Sequence, residues 1–483
     1  MRRTLLSTMI MICSFMHLYA QTYNLAVIDG YGSGSYQAGD TIHIWSEAYD
    51  NSKTFSKWTG DTQYLLNPNE WHSSLIMPNQ NITVASLISN IPSYTINYEQ
   101  IMGASNPKNV YSCFPSNIKG VIYLLHGTGG SASNWNNTVE YRSFVNAAIA
   151  DSFGIIATEA EEITLNSDLN SDGKLRWLSF PIDTINGIDY LNIKAITDTF
   201  INRGEFNTLT PKFSVGMSNG GSFSAALSYA YDYQAGISYC ASSNQAIFSV
   251  RNNSFGFRMA KHDDHPEVGA EGNYQAWQND SILADRGICH DYKIHDRQPL
   301  YPERFARIPG ISIVSSQAIF NDLWSNGQLD LSNFALHSDT IKYHVLANPS
   351  LYPSIIALSP TLQIEVLNQI AASNAEHKFY SDYNFETLDF IDNLCSPSLN
   401  IHDIDPENSK LIVYPNPASE ELNIVMEEDI YSIEIINNTG QSVLKLNDLY
   451  DLKTLDVSSL KVGMYFVRAT NNTRVLTSKF VKE

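Results

Sequence analysis

The chain has 483 residues, too many for one ordinary domain, and its composition of 43% hydrophobic and 17% charged residues excludes a disordered chain. Its 30 basic and 50 acidic residues give a net charge of −20, which disfavours nucleic acid and anionic lipid as partners. We therefore expect several folded domains that act on neither.

The N-terminal segment MRRTLLSTMIMICSFMHLYA carries two arginines, then an apolar run, then a small residue. This pattern is typical of a secretory signal peptide, so residues 1–20 are predicted to be removed. No later stretch has the roughly twenty apolar residues of a membrane helix, so no transmembrane segment is expected. The mature chain keeps Cys113, Cys240, Cys289 and Cys395. In an oxidising compartment these permit two disulfides, and the pairing stays open.

Residues 23–90 alternate apolar with polar or small residues and are interrupted by glycine turns. Alternation with a period of two residues predicts a small antiparallel β domain. Through GSGSYQAGD, FSKWTGD and SLIMPNQNITVASLI, the segment resembles the bacterial repeat domain of secreted proteins. The resemblance implies a stabilising spacer, with a module that binds carbohydrate or another polymer as the alternative.

Residues 409–483 again contain short alternating segments separated by Asn/Gly turns, which predict a compact β sandwich. The segment closely resembles the C-terminal sorting domain of type IX secretion substrates. The matching positions are Tyr414 to Pro417, Gly440 and Gln441, Gly463 to Tyr465, and Lys479 to Lys482. The resemblance implies the type IX secretion machinery as a partner, export across the outer membrane, and release or attachment at the cell surface.

Residues 91–400 are the part in which strand-like and helix-like segments alternate. GVIYLLHGTGG and SFGIIATEA are short apolar strands, YLNIKAITDTFINRG has helical spacing, and PKFSVGMSNGG is a strand before a helix-compatible segment. This alternation predicts an α/β domain whose mostly parallel sheet is buried on both faces.

The segment Gly216-Met217-Ser218-Asn219-Gly220 fits the G-x-S-x-G nucleophile elbow. Glycines flank the serine because the turn from strand to helix is too tight for larger side chains, and this turn exposes the serine above the sheet. The strand before it, the helix after it and the LLHGTGG loop upstream supply the expected context. We therefore predict a nucleophilic serine, with a structural glycine turn as the alternative.

Through LLHGTGGSASNW and VGMSNGG the middle domain resembles the secreted α/β-hydrolase esterases, especially the polyhydroxybutyrate-depolymerase-like and feruloyl-esterase-like group. The resemblance implies an α/β-hydrolase fold, a Ser-His-Asp triad, an extracellular ester or polyester substrate and no required cofactor. In that arrangement the backbone N–H groups of Asn219 and Thr128, with Gly129 as a further candidate, would face the oxyanion of the tetrahedral intermediate.

The chain order of this fold places first the acid and then the histidine after the serine. An apolar strand ending in MAKHDD brings Asp263 and Asp264 to the expected edge of the sheet. Asp263 is preferred because it stands four residues after Met259, the spacing that related hydrolases have, and Asp264 is the alternative. His377, just before an amphipathic terminal helix, is the predicted base, with His295 as its main rival.

Residues 299–370 lie between the last predicted strand and this histidine. Their apolar residues have helical spacing, and Asn326-Gly327 marks a turn. The segment is therefore predicted to form a helical cap that limits substrate size and excludes water.

The segment NSDLNSDGKLRW places Asp168, Asn170, Asp172 and Gly173 in the D-x-N-x-D-G order that opens a calcium loop. Its twelfth position is Ser179 where an EF-hand has a bidentate glutamate. A structural calcium site is one interpretation, and an acidic surface turn is the other.

Together these features predict a secreted serine ester hydrolase, an α/β-hydrolase domain with a helical cap flanked by two small all-β domains. A serine peptidase of the same fold is one alternative. A non-catalytic surface protein that binds a polymer is the other.

Overall fold

The computed structural model describes residues 21–47, 53–91, 93–395, 411–414, 416–425, 432–437, 441–447, 454–470 and 475–482. The predicted signal peptide, and Pro415 and Gly440 of the sorting-domain pattern, lie outside these ranges. The chain divides into two units, Met1–Pro397 and Ser398–Glu483. Within the described ranges, no helix is both long enough and apolar enough to cross a membrane.

The N-terminal domain consists of short strands in two sheets, ordered β3-β1-β7-β5 and β2-β4-β6. The strands are β1 (Thr22–Ile28), β2 (Gly30–Tyr31), β3 (Gly34–Gln37), β4 (Thr41–Ser46), β5 (Lys53–Gly60), β6 (His72–Ile76) and β7 (Ile82–Asn90). Apolar residues at alternating positions, such as Leu25 and Val27 of β1, fill the core between the sheets. The prediction of an antiparallel domain was wrong at one place, because β1 pairs with β7 in parallel. Alternation predicts a strand but carries no information about the direction of its partner.

The central sheet has eight strands in the order β15-β14-β13-β12-β10-β11-β9-β8. They are β8 (Asn97–Met102), β9 (Pro107–Cys113), β10 (Gly120–Leu125), β11 (Phe153–Thr158), β12 (Lys212–Met217), β13 (Ala235–Tyr239), β14 (Ser254–Ala260) and β15 (His290–His295). The strands from β10 to β15 run parallel, and β9 is antiparallel to both β8 and β11. This order and these directions are those of the α/β-hydrolase fold.

Helices cover both faces of this sheet. They are α1 (Asn134–Asn137), α2 (Val139–Ala150), α3 (Glu161–Leu165), α4 (Ile188–Arg203), α5 (Asn219–Ala230), α6 (Gln245–Phe248), α7 (Gly269–Asp285) and, at the end of the domain, α12 (Asn384–Asn393). Successive residues of β10 point to opposite faces, so Tyr123 packs with α4 and α5 while Leu124 packs with α2 and α12. The inner strands β10, β11, β13 and β14 are therefore buried throughout, whereas the edge strands β8 and β15 are partly exposed, as expected of a sheet between two helix layers.

The segment predicted as a cap is helical and has a core of its own. It contains α8 (Ile313–Ser325), α9 (Ser338–Ala347), α10 (Pro353–Ile356), α11 (Pro360–Ser373) and the 3₁₀ turns Arg304–Arg307 and Pro349–Leu351. Phe305, Ile319, Ile341 and Ile370 meet in its interior.

The N-terminal domain packs directly on the start of this helical segment. The Trp45 indole stacks on Tyr301 with ring centroids 4.5 Å apart, and its Nε1–H donates to the Gln298 side chain at 2.9 Å. The Arg307 guanidinium lies 4.0 Å from the Trp71 ring centroid. The domain therefore forms part of the hydrolase unit.

One disulfide is present among the described residues. Cys289, directly before β15, is bonded to Cys395, which follows α12, while Cys113 and Cys240 are unpaired and buried. The bond fastens the end of the hydrolase unit to the edge strand of its sheet.

The C-terminal unit is a small all-β structure with its own core. Its strands are β16 (Ile412–Tyr414), β17 (Glu421–Val425), β18 (Ser432–Asn437), β19 (Ser442–Asn447), β20 (Thr454–Asp456), β21 (Gly463–Thr470) and β22 (Val475–Lys482). They form sheets of order β16-β17-β20 and β19-β18-β21-β22. Leu422, Ile433, Val467 and Phe480 pack in the core.

Candidate active site

Ser218 lies between the end of β12 and the start of α5 in a strained backbone conformation. Its φ is 55° and its ψ −123°, a combination that non-glycine residues rarely adopt. A Cβ at Gly216 would lie 2.0 Å from the Gly220 carbonyl oxygen, and one at Gly220 would lie 2.4 Å from the Leu125 and His126 carbonyl oxygens. Both positions therefore require glycine. This tight turn projects the serine hydroxyl above the carboxyl edge of the sheet.

The Ser218 hydroxyl is the first member of a hydrogen-bonded series of three side chains. His377 Nε2 lies 2.9 Å from Ser218 Oγ, and His377 Nδ1 lies 2.6 Å from Asp263 Oδ2. Asp263 is buried, and its second oxygen accepts from the His265 backbone N–H at 2.9 Å. With Nδ1–H donating to the carboxylate, Nε2 is left as an acceptor for the serine proton.

The two alternative residues lie elsewhere. The Asp264 side chain is 68% exposed and faces His337 Nε2 at 3.1 Å. His295 is buried, stacks on Tyr380 and donates from Nε2 to the Ala372 carbonyl at 3.0 Å. The structure thus brings Asp263 and His377 to the serine, and neither Asp264 nor His295.

Two of the three backbone amides predicted as oxyanion donors have no partner among the residues that the structure describes. In the described part of the chain, the N–H groups of Thr128 and Asn219 have no hydrogen-bond acceptor, whereas the Gly129 N–H donates to the Leu175 carbonyl at 2.8 Å. Asn219 is the first residue of α5, where the backbone N–H is not used within the helix. The two predicted donors are thus open, and the third candidate is occupied.

His126 holds the loop that carries Thr128. Its Nδ1–H donates to the Gly127 carbonyl at 2.7 Å, and its Nε2 accepts from the Ala160 N–H at 3.1 Å. Burial lowers the pKa of His126 to about 4, so the ring is neutral at physiological pH. The Trp177 indole N–H donates to the His126 carbonyl at 2.9 Å, a second contact that holds the start of this loop.

A cavity of about 240 Å³ opens beside the serine. The loop after β10 and helices α1, α2 and α11 contribute to its walls, together with the segment around His377. Its lining includes Asn134, Thr138, Glu140, Tyr141, Met217, His265, Asn368, Gln369, Lys378 and Phe379. Because α11 supplies two of these residues, the helical insertion forms one wall of the cavity.

Glu140 anchors that wall. Its buried carboxylate accepts from Arg307 at 2.6 Å, from Gln369 at 2.8 Å and from the Ser381 N–H at 2.9 Å. Burial opposes its ionisation, but Arg307 and Arg304 outweigh that cost and hold the pKa of Glu140 below its usual value. The charge cluster joins α2, the insertion and the segment that follows His377.

Among the residues of the site that sequence reasoning missed are His265, Lys378 and Tyr141. The His265 ring stacks on His377 with centroids 4.4 Å apart, and burial followed by the neighbouring imidazole lowers its pKa. His265 and Lys378 lie within two residues of the predicted acid and base, a signal that was open to use. Tyr141 gave none, because α2 reaches the cavity only through the packing of the helices.

The side-chain oxygens of the predicted calcium loop accept hydrogen bonds from nearby groups of the protein. Asp168 accepts from the N–H groups of Asp172 and Gly173, at 3.2 and 2.7 Å, and Asn170 Oδ1 accepts from the Asp172 N–H at 3.1 Å. The Asp172 carboxylate accepts from Arg176 Nε at 2.7 Å. Calcium would have to displace this guanidinium, so calcium binding here stays a prediction.

One group with metal-ligating atoms occurs among the described residues, and it coincides with the catalytic candidates. Atoms of Cys240, Asp263 and His377 lie within 4.8 Å of one another. Burial raises the pKa of the Cys240 thiol well above its usual value, and its Sγ–H donates to the Lys378 carbonyl at 3.5 Å. A protonated thiol beside a hydrogen-bonded Asp–His pair fits a proton-transfer site better than a metal centre.

Comparison with known proteins gives one result for the C-terminal unit and another for the rest of the chain. Residues 412–483 match the family described as the secretion system C-terminal sorting domain, so the chain carries an export signal of the type predicted from its sequence. That signal directs it to secretion or to the cell surface. No curated protein matches the chain.

Several solved structures resemble the hydrolase domain. Dienelactone hydrolase from Anabaena variabilis is 14% identical, with a TM-score of 0.33, over 42% of this chain and 87% of that one. A ferulic acid esterase is 9% identical, with a TM-score of 0.31, over 42% and 91%. Acylaminoacyl peptidase from Pyrococcus horikoshii is 10% identical, with a TM-score of 0.33, over 56% and 50%. At these identities and scores the likeness assigns neither a substrate nor an activity to this chain.

Proposed function

We propose that this protein is a secreted serine hydrolase of carboxylic esters. The observation that carries the proposal is the hydrogen-bonded series from Ser218 through His377 to Asp263, at 2.9 and 2.6 Å. A serine hydroxyl is a weak nucleophile by itself and is activated when an adjacent base takes its proton.

In the proposed reaction, His377 Nε2 takes the proton from Ser218 Oγ as the oxygen attacks the ester carbonyl. The N–H groups of Thr128 and Asn219 receive the oxyanion. Asp263 keeps the Nδ1–H in place and stabilises the imidazolium. His377 then gives the proton to the leaving alcohol, and a water molecule activated in the same way releases the acid.

An ester is preferred over a peptide because the two sequence motifs resemble secreted esterases. The reaction needs no metal or cofactor. A peptidase of the same fold and a non-catalytic polymer-binding protein are the competing functions, and the following experiment separates them.

The test is hydrolysis of short-chain and longer-chain p-nitrophenyl esters by the mature protein, beside its Ser218→Ala variant. Loss of the nucleophile is expected to lower kcat by about 10⁴-fold or more. Ser222→Ala, one turn along α5, is the matched control and should retain activity. A fluorophosphonate probe should label wild type and not Ser218→Ala, since labelling requires an activated serine.

Labelling without ester turnover, together with cleavage of peptide anilides, would favour the peptidase. Neither labelling nor turnover would refute the hydrolase proposal. That result would direct attention to polymer binding by the N-terminal domain.

A further inference from the structure

One exposed basic residue is among those that line the cavity beside Ser218. It is Lys378, which follows His377 directly in the chain. Within the part of the chain that the structure describes, its ammonium group forms no ion pair. A lysine next to the proposed catalytic histidine thus has no carboxylate in direct ion-pair contact among the described residues, in a chain of net charge −20.

The two carboxylates near Lys378, those of Glu140 and Glu365, interact with other groups of the protein. The charge of Glu140 is balanced by Arg307 and Arg304, at 2.6 and 3.5 Å. Glu365 and Lys378 attract each other, while burial raises the pKa of Glu365 and its carboxylate accepts from Asn368 at 3.1 Å. Among the described residues, neither carboxylate forms an ion pair with the lysine.

A second donor without a partner lines the same cavity. Within the described ranges, the Tyr141 hydroxyl makes no hydrogen bond. Its ring is held against Phe379, with centroids 4.5 Å apart and planes 17° apart, and against the edge of Trp135. Burial raises the pKa of Tyr141, so the hydroxyl keeps its proton and acts as a donor.

Lys378 and Tyr141 both line the cavity, and their side chains end in an ammonium and a hydroxyl group that can each donate to a ligand. An anion bound there would give the ammonium a counter-ion. A carboxylate accepts from both an ammonium and a phenol, and charge-assisted hydrogen bonds of this kind are strong.

We propose that the ester hydrolysed at Ser218 carries a free carboxylate, which the Lys378 ammonium and the Tyr141 hydroxyl bind. The inference rests on the proposed function and specifies its substrate class as anionic esters. In this assignment Lys378 determines specificity and takes no part in proton transfer.

The first test compares pairs of esters that differ in one charge. Mono-p-nitrophenyl glutarate is paired with p-nitrophenyl hexanoate for a carboxylate on the acyl side. The butyrate ester of 4-hydroxybenzoate is paired with that of its methyl ester for the alcohol side. We expect wild type to prefer the anionic member of at least one pair in kcat/KM, and the preference to fall with added NaCl.

Lys378→Met keeps the length of the side chain and removes the charge. It should lower kcat/KM for the preferred anionic ester about tenfold, with little change for the neutral partner. Lys378→Arg should retain the preference, and Tyr141→Phe should lower it less than Lys378→Met. Lys194→Met, on the surface of α4 and outside the cavity lining, is the matched control for net charge.

An anionic-to-neutral ratio that Lys378→Met leaves unchanged on both pairs would overturn the inference, while turnover of the neutral esters would still support the proposed function. If no ester is turned over, the Ser218→Ala protein supplies a binding readout. Calorimetry with monobenzyl glutarate should then detect binding that Lys378→Met abolishes. Equal binding with and without Lys378 would again refute the inference.

Discussion

The two small β regions of this chain have similar sequence patterns but differ in what their large apolar side chains pack against. Both alternate apolar and polar residues between glycine or asparagine turns. The N-terminal domain buries Trp45 and Trp71 against Tyr301 of the hydrolase domain, whereas the C-terminal unit has a core composed of its own residues, such as Leu422. Alternation therefore identifies a β domain, but the residues outside its core decide whether it belongs to a larger folding unit.

The largest expected effect comes from breaking the contact between the N-terminal domain and the hydrolase domain. The Trp71 ring lies under the Arg304 and Arg307 guanidinium groups, at 5.1 and 4.0 Å, and is 5% exposed. Trp71→Ala should lower the free energy of unfolding of the hydrolase unit by about 3–5 kcal/mol, from lost burial and cation–π contact. Unfolding in guanidinium chloride, monitored through the loss of ester turnover, measures the change in the free energy of unfolding.

The matched control is Leu422→Ala in the core of the C-terminal unit, which should leave that unfolding midpoint unchanged. If both variants shift the midpoint equally, the contrast between the two β regions fails.

The next effect concerns the point where the hydrolase unit ends. The Cys289–Cys395 disulfide joins residues 106 positions apart. Replacing both cysteines by serine should cost about 2–4 kcal/mol, because the unfolded chain regains the freedom of a long loop. Thermal unfolding with and without reductant gives the value. A reductant effect of equal size in the double-serine variant would show that the loss of stability does not come from the Cys289–Cys395 bond.

A pH effect should separate the two β regions further. Glu70 of the N-terminal domain is buried beside Glu386, and burial, then repulsion from Glu386, raises the pKa of Glu70 well above its usual value. The folded state therefore holds this proton more tightly than the unfolded state does. Glu70 therefore contributes its full stabilising free energy below the pKa of a glutamate in the unfolded chain. This contribution is lost as the pH rises through the pKa of Glu70 in the folded state.

Glu70→Gln should flatten this decline, with a gain on the order of 1 kcal/mol at alkaline pH. Denaturant unfolding of both proteins across the pH range provides the measurement. A parallel decline in wild type and variant would assign the pH dependence to other groups.

The smallest effect is expected on the surface of the C-terminal unit. Arg468 lies 3.4 Å from Glu434, and the arginine side chain is 49% exposed. Arg468→Ala should change stability by less than about 1 kcal/mol, because solvent screens exposed ion pairs. Calorimetry of the full chain tests this expectation. A larger loss of stability would mean that the pair contributes more to folding than an exposed ion pair does.

Much of the site could be predicted from sequence because its geometry is local. Ser218 must stand between glycines for steric reasons, and the neighbouring strand and helix were visible in the pattern. Choosing Asp263 over Asp264 was harder, because adjacent residues point in different directions and only the folded loop shows which carboxylate meets His377. Lys378 stood beside the predicted base and could have been proposed from the sequence, whereas Tyr141 could not, because nothing in the sequence separates a residue of the cavity wall from one on the surface.

By itself the sequence determined the alternating elements of the hydrolase domain, the serine turn, the two β regions and the C-terminal sorting signal, since each depends on local spacing or a contiguous motif. Tertiary structure alone decided the parallel pairing of β1 with β7, the disulfide partners and the docking of the N-terminal domain. It also decided which charges line the cavity. These features join residues that are distant in sequence, and their energies arise from packing and desolvation that exist only in the folded chain.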